Sequence, residues 1–330
     1  MRVAINGLGR IGRQAIRQIH GIPGLELVGL NDLAASAAVA PLVKYDSVHG
    51  RAPFPVAFEP GRLLLGGRPV PIFQESDPER VPFGELGAEV VLECSGAFTR
   101  RAQAALHLRG GVARVIIAAP SEDADATWAP GVNAVPLDAP VLSAACPATH
   151  ALALLVKVLD AAFGVEFGLA TVVESYHNDQ RILDLPHPDL RMARAAALSM
   201  IPAPTDAALG LARVLPGTAG RFEAQAIRVP TPDVSLLDLS VTLARPATLA
   251  TVHEAFRQAA FGLPGLLESL DEPLVSADLR GGTASCILDP LLTRIMSDRF
   301  IKVFAWYDNE VAYAARLRDL CLALGAGGAR

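Results

Sequence analysis

The sequence predicts a doubly wound parallel sheet flanked by helices, followed by an α+β domain whose sheet is mostly antiparallel. Three observations carry this. Short apolar segments alternate with helical patterns from Arg2 to Phe163, a glycine-rich turn joins the first segment to the first helix, and the texture changes after Gly164. At 330 residues the chain exceeds one ordinary core and suits two domains, expected at 1–146 and 147–309. The closing segment, 310–330, is expected to pack back on the first of them.

In order, Arg2 to Asn6 reads as a strand, Gln14 to His20 as helical, and Glu26 to Leu30 as a strand running into Asn31 and Asp32. A strand-turn-helix-strand unit requires parallel strands with a right-handed crossover. Further strands are expected at Glu89 to Leu92 and Arg114 to Ala118, each ending in small residues. Small residues suit strand ends that a ligand crosses. Pro140 to Ser143 leads to Cys146, and Ala151 to Phe163 is a strong helix. Beyond Gly164, the segments Gly168 to Val173, Ala224 to Arg228, Ser235 to Leu243 and Arg299 to Trp306 read as strands of a second sheet. Asn178 to Pro204 reads as a long loop, and loops of that length are normally functional or interfacial. Glu310 to Leu324 reads as a final helix.

Composition removes several function classes. Apolar residues make up 51% and charged ones 19%, so there is material for buried sheets and no sign of disorder. A formal charge of -5 argues against nucleic acid as the main partner, since phosphate contacts need a basic face. No window of about 18 apolar residues lacks charges, so no membrane span is expected. RVAIN runs straight into the glycine-rich turn, and no signal peptide is expected. The cysteines at 94, 146, 286 and 321 match no disulfide framework or metal spacing, which points to a reducing cytoplasm and to no metal site.

Gly7, Gly9 and Gly12 form G-x-G-x-x-G directly after a strand and at the start of a helix. The first glycine permits the turn, the second lets a pyrophosphate approach the backbone, and the third allows close helix-sheet packing. Amides at the positive end of the helix then hold the phosphates. Asp32 stands 20 residues after Gly12, at the end of the next strand, where a carboxylate accepts ribose hydroxyls and repels a 2'-phosphate. A Rossmann-type domain that binds NAD in preference to NADP follows.

Cys146 lies in LSAACPATH between a predicted strand and a helix. Pro147 fits the first helical position, making Cys146 the cap residue with its sulfur near the helix's positive end. A thiolate is stabilised there, so an activated nucleophile is expected. Cys94, Cys286 and Cys321 read as packing residues.

Long segments of the chain resemble the glyceraldehyde-3-phosphate dehydrogenase family and its close relative, erythrose-4-phosphate dehydrogenase. The resemblance lies in AINGLGRIGR (4–13), KYDSVHG (44–50), VLECSGAFT (91–99), DLPHPDLRMARAAALSMIP (184–202), RVPTPDVSLLDLSV (228–241) and WYDNE (306–310). It implies a homotetramer, a small phosphorylated aldehyde as substrate, and a Cys146 thiohemiacetal that yields hydride to NAD. It also implies that Asn309 holds the nicotinamide carboxamide and that Arg228 binds the substrate phosphate. The segment Asn178 to Pro204 resembles the loop that reaches a neighbouring subunit's cofactor. With the cofactor motif, the expected NAD contacts are Gly7, Gly9, Arg10, Ile11, Gly12, Asp32, Ser95 and Asn309.

The departures gather at the expected catalytic residues. Where the family reads S-C-T-T-N, this chain reads Ala145, Cys146, Pro147, Ala148, Thr149, without two hydroxyls associated with inorganic phosphate. Where the family has T-G, it has Thr205 and Asp206, whose carboxylate repels a phosphate. The family's H-x-Y-T becomes Glu174, Ser175, Tyr176, His177, so the imidazole partner of the thiolate is missing. In an extended strand residues 174 and 177 point to opposite faces, so His177 is expected on the substrate or beside Arg228, not in the missing base's place, unless the strand ends and turns near Tyr176. Glu174 has three readings: a general base that directs water at a thioester, a structural anion paired with Arg228, or a mark of lost catalysis, because a carboxylate raises a neighbouring thiol's pKa. The function expected is NAD-dependent oxidation of a small phosphorylated aldehyde through a Cys146 thioacyl intermediate, released by phosphate or by water. The alternative is a non-catalytic NAD-binding paralogue with a regulatory or binding role.

Overall fold

The computed structural model describes residues 1–134 and 137–327, leaving the last three residues of the expected terminal segment outside it. The chain divides into two compact units, one of Met1–Trp128, Ala134–Ala145 and Tyr313–Arg330, the other of Ala129–Asn133 and Cys146–Ala312.

The first unit is built on a nine-stranded sheet. Its order is Ala126–Thr127, Val141–Ser143, Arg114–Ile117, Val90–Glu93, Arg2–Asn6, Glu26–Asn31, Arg68–Phe73, Arg62–Leu65, Val56–Glu59. The first seven run parallel. Val3, Ala4 and Ile5 on the central strand are wholly buried, because helices cover both faces of such a sheet and its strands become continuous apolar runs. The helix Arg10–Ile19 buries Ala15, Ile16 and Ile19, one stripe at helical spacing. Tyr313, Leu317, Leu320, Cys321 and Leu324 of the helix Val311–Gly325 share the core with Ile5, Ile16 and Ile19. The two outer strands, absent from the sequence reading, pair antiparallel. Gly66 and Gly67, at φ +57° and +82°, form the two-residue turn that such a hairpin requires.

The second unit holds a seven-stranded sheet. Its order is Ile201–Ala203, Phe222–Val229, Val165–Ser175, Ser235–Leu243, Phe300–Tyr307, Cys286–Ser297, Leu267–Ser269. Along Ser235–Leu243 every second residue is buried, the signature of a sheet with one covered face. Leu237, Leu239 and Val241 pack with Leu152, Leu155 and Leu159 of the helix Pro147–Phe163. Val165–Ser175 and Phe222–Val229 run parallel, in register from Gly168↔Phe222 to Ser175↔Val229. That register sets Glu174 directly beside Arg228. The helices Ala207–Val214 and Leu249–Gly262 and the strand Cys286–Ser297 complete the unit, and neither helix was read from the sequence. No helix among the described residues is long and apolar enough to cross a membrane.

Candidate active site

The glycine turn in the first unit has the geometry a dinucleotide needs. Gly7 sits at φ +89°, and a Cβ there would collide with the backbone of Ser95. A Cβ on Gly12 would collide with the Gly7 carbonyl, so the turn and the helix pack backbone on backbone. A Cβ on Gly9 would meet nothing within 4 Å, which leaves its outer side open to a phosphate. Gly9 caps the helix Arg10–Ile19 with no side chain, so the amides of its first turn, Arg10 and Ile11 among them, belong to backbone that a ligand can approach. Asp32 is partly buried, and its carboxylate accepts the Leu8 amide at 2.6 Å and the Ala34 amide at 2.8 Å. These bonds hold it beside the turn, with lone pairs to spare for hydroxyls.

A buried polar chain supports this turn from below. Asn31 Nδ2 donates to Asn6 Oδ1 at 2.7 Å, and Asn6 Nδ2 donates to Glu93 Oε2 at 2.6 Å. Glu93 also accepts from the Ser95 amide at 2.8 Å and meets His107 Nε2 at 3.0 Å. Asn6, Asn31 and Glu93 end three neighbouring strands, so the network fixes the strand ends against one another. Ser95 is exposed above it.

Cys146 caps the helix Pro147–Phe163 with Pro147 in the first turn, as the local sequence demands. Ala145 just before it holds φ +52°, a left-handed conformation that costs a non-glycine residue energy. The Ala145 amide donates to Ser143 Oγ at 3.1 Å, and Tyr313 Oη donates to the Ala145 carbonyl at 2.9 Å. Cys146 Sγ lies 3.1 Å from Thr149 Oγ1, one helical turn on. That residue was not singled out from the sequence, although its place three residues beyond a cap predicts the contact.

The thiol corrects one expectation. Burial pushes the Cys146 pKa up although the residue keeps some exposed surface, and the charges of Glu174 and Asp206 push it further. The hydroxyl and amide of Thr149 act the other way and do not prevail. Removal from water and like charge thus act against the thiolate that the helix end favours.

The structure brings Glu174, His177 and Arg228 together. Glu174 Oε2 stands 3.9 Å from both Arg228 Nε and His177 Nε2. The strand ends at Ser175, so the alternation of faces stops and the backbone turns His177 back toward Glu174. The expected separation of these two residues is overturned, and the alternative of a strand that ends near Tyr176 holds instead. Burial raises the Glu174 pKa from 4.5 to about 7, against the attraction of Arg228. His177 moves down, first by burial although 44% of its side chain stays exposed, and then by the Arg228 charge.

Arg228 itself is 12% exposed and already engaged. Its Nη1 donates to both oxygens of Asp179, at 3.0 and 3.1 Å, and lies 3.9 Å from Met192 Sδ. Asp179 was missed in the sequence, because nothing in its spacing tells a loop carboxylate that it will meet a strand 49 residues away. Thr205 Oγ1 accepts the Ala207 amide at 3.3 Å, and Asp206 caps the helix Ala207–Val214 without a side-chain bond.

Asn309 is held by two buried serines. Ser175 Oγ and Ser235 Oγ approach its Oδ1 at 3.2 and 3.1 Å, and Tyr307 bonds Ser235 in turn. The amide's nitrogen end is thereby directed away from the serines.

Comparison with known proteins agrees with these features. A model described as glyceraldehyde 3-phosphate dehydrogenase, NAD binding domain, matches residues 1–101, and one described as its C-terminal domain matches residues 145–309. The chain is 44% identical over 332 residues to glyceraldehyde-3-phosphate dehydrogenase of Geobacillus stearothermophilus, covering 99% of each. It is 43% identical over 332 residues to glyceraldehyde-3-phosphate dehydrogenase 1 of Bacillus subtilis, again covering 99% of each. It is 44% identical over 331 residues to glyceraldehyde-3-phosphate dehydrogenase 1 of Streptomyces avermitilis, covering 98% of each. The cofactor is NAD, and the glycine turn and Asp32 fit it.

Proposed function

The chain belongs to the glyceraldehyde-3-phosphate dehydrogenase family of NAD-dependent oxidoreductases, and we propose that it oxidises a small aldehyde to a carboxylic acid through a thioacyl intermediate on Cys146. The observation that carries the last step is Glu174, a mostly buried carboxyl with a pKa of about 7 whose charge acts on Cys146. A base poised near neutral pH is what activating a water molecule requires.

Cys146 Sγ adds to the aldehyde carbon, and its proton passes to Glu174 as the bond forms, so that a resting thiol still serves as nucleophile. Bound NAD supplies the hydride acceptor. The thiohemiacetal becomes a thioester on Cys146, with Asn309 offering its amide donor to the nicotinamide carboxamide. Glu174 releases the thiol's proton to solvent and then takes one from water. The hydroxide adds to the thioester carbon, and Glu174 returns its proton to the sulfur as the thiol leaves and the acid forms. One aldehyde, one NAD and one water give one acid, one NADH and one proton. Ala145, Ala148 and Asp206 favour water over phosphate as acceptor, since two hydroxyl ligands are missing and a carboxylate is added.

The relatives' names refer to glyceraldehyde 3-phosphate, which makes that compound the first to assay. We read Thr205, Asp206, His177 and Arg228 as the residues that meet the substrate. The assembly is a homotetramer in this proposal. Ile182, Leu183, Leu190, Leu198 and Met200, all more than 70% exposed, support it, because so much apolar surface on one segment suits a covered face. Four free cysteines support a reducing, cytoplasmic setting.

The test is an aldehyde panel with NAD, with and without millimolar phosphate, following NADH and product. The expected outcome is a carboxylic acid at a rate independent of phosphate, abolished by Cys146→Ala with NAD affinity intact. Strong acceleration by phosphate would restore the phosphorylating reaction. NADH from no aldehyde would leave a non-catalytic NAD-binding protein.

A further inference from the structure

Two chain segments that meet beside Asn309 share a buried pair of acids. Ser235 and Tyr307 are partners on neighbouring antiparallel strands, so residues 233–234 and 308–309 face each other where those strands end. Asp233 and Asp308 are each 1% exposed, and their side chains hydrogen-bond to each other. Two ionised carboxylates cannot form that bond, because neither carries a donor. Asp308 accepts three amides on its two oxygens, from Gly281 at 2.7 Å, Glu310 at 2.9 Å and Val311 at 2.6 Å. It serves as acceptor once more, and the proton of the pair sits on Asp233. Burial and Asp308, with a smaller push from Glu310, raise the Asp233 pKa to about 8, in keeping with that placement.

The bond ties the segment that carries Ser235 to the one that carries Asn309. Asp308 adjoins Asn309, and Asp233 lies two residues before Ser235. Ser235 Oγ stands 3.1 Å from Asn309 Oδ1. Ser175 Oγ lies 3.2 Å from the same oxygen and 3.3 Å from the Val234 carbonyl. Val234, between Asp233 and Ser235, holds φ +68°, a left-handed conformation that is an outlier for a β-branched residue. Such backbone persists only where its surroundings hold it. Here the residues on either side of it are bonded, one to Asp308 and the other to Asn309.

We infer that the Asp233 carboxyl is a positioning residue for the cofactor: by tying its segment to Asp308 it fixes the Ser235–Asn309 contact, and with it the amide that meets the nicotinamide. This rests on the proposed role of Asn309. The glycine turn and Asp32 belong to neither segment, so the hold on the ADP-ribose half of NAD does not depend on Asp233.

The experiment titrates the full chain at neutral pH with NAD and with ADP-ribose, which lacks the nicotinamide, by calorimetry. Asp233→Ala removes the donor and should weaken NAD at least ~5-fold, the worth of one hydrogen bond, with ADP-ribose held within ~2-fold. Asp233→Asn keeps a donor of the same length and should leave both affinities near those of the unaltered chain. Asp233→Ser, whose hydroxyl is too short for Asp308, should behave as Asp233→Ala and replaces it if that variant does not fold. An unchanged NAD affinity in the folded Ala or Ser variant overturns the inference, and so does an equal loss in Asp233→Asn. Equal weakening of NAD and ADP-ribose also overturns it, because a merely structural role moves both. Asn309→Ala checks the premise. If it leaves NAD affinity unchanged, the proposed role of Asn309 fails and the inference with it. If it weakens NAD where the Asp233 variants do not, the inference alone fails.

Discussion

Glu174 and Arg228 stand in register on neighbouring parallel strands, yet the carboxylate reaches the guanidinium only at 3.9 Å, while Asp179 holds it at 3.0 Å. Arg228 is thus shared unequally. The closer partner comes from a loop, and Arg228 still lowers the Glu174 pKa without offsetting the effect of burial. That is why burial, and not the cation, sets the Glu174 pKa near 7. A firmly salt-bridged carboxylate would be a weak base, and this one is free to take a proton.

Glu174→Gln should separate the two halves of the reaction. The first turnover should still release about one NADH per site, and the steady rate should fall by about 10²–10⁴-fold, the usual worth of general-base assistance. Acyl-enzyme should then accumulate and be visible by mass. An unaltered steady rate would reduce Glu174 to a structural anion, and loss of the burst would move its role to an earlier step.

Stability should depend on pH through the same residue. Its folded pKa of about 7 lies above its ordinary value of 4.5, so the folded state holds the proton more tightly. The contribution is fully present below pH ~4.5 and is lost as pH rises through ~7, amounting to about 3 kcal/mol. Denaturant titrations across pH 4–8 should show this decline, and Glu174→Gln should remove that part of it. Asp233, raised by burial and by Asp308 to about 8, shifts in the same sense and should leave a residual slope.

Cofactor choice should follow Asp32. The carboxylate is tied to the Leu8 and Ala34 amides beside the glycine turn, where a 2'-phosphate would meet its charge. Binding titrations should give NAD the higher affinity, and Asp32→Ala should bring NADP closer to NAD. Equal affinities in the unaltered protein would refute the assignment.

Gly210 tests the packing beneath the nucleophile. A Cβ there would collide with Thr149 Oγ1, the hydroxyl that contacts Cys146. Gly210→Ala should lower stability by about 1–3 kcal/mol, as overpacking does. It should also change the pH dependence of Cys146 alkylation, because Thr149 must move. An unaffected alkylation profile would show that Thr149 has no influence on the thiol.

Much of this protein is written locally. The strand-turn-helix around Gly7, Gly9 and Gly12, the acid at Asp32 and the proline-capped helix after Cys146 each follow from residues a few positions apart, because backbone geometry and capping are short-range. The alternation along Ser235–Leu243 likewise exposes one face and buries the other. The hairpin at Gly66 and Gly67 was written just as locally and went unread, its two glycines lying between short runs with little alternation. What sequence could not supply was set by long-range pairing and burial. The meeting of Asp179 with Arg228, and of Glu174 with both Arg228 and His177, depends on where a strand stops and which strand lies beside it. The Cys146 thiol shows the same limit. Its helix end predicts a thiolate, but the pKa answers to every neighbouring charge and to lost water, and these come from residues 28 and 60 positions away in the chain.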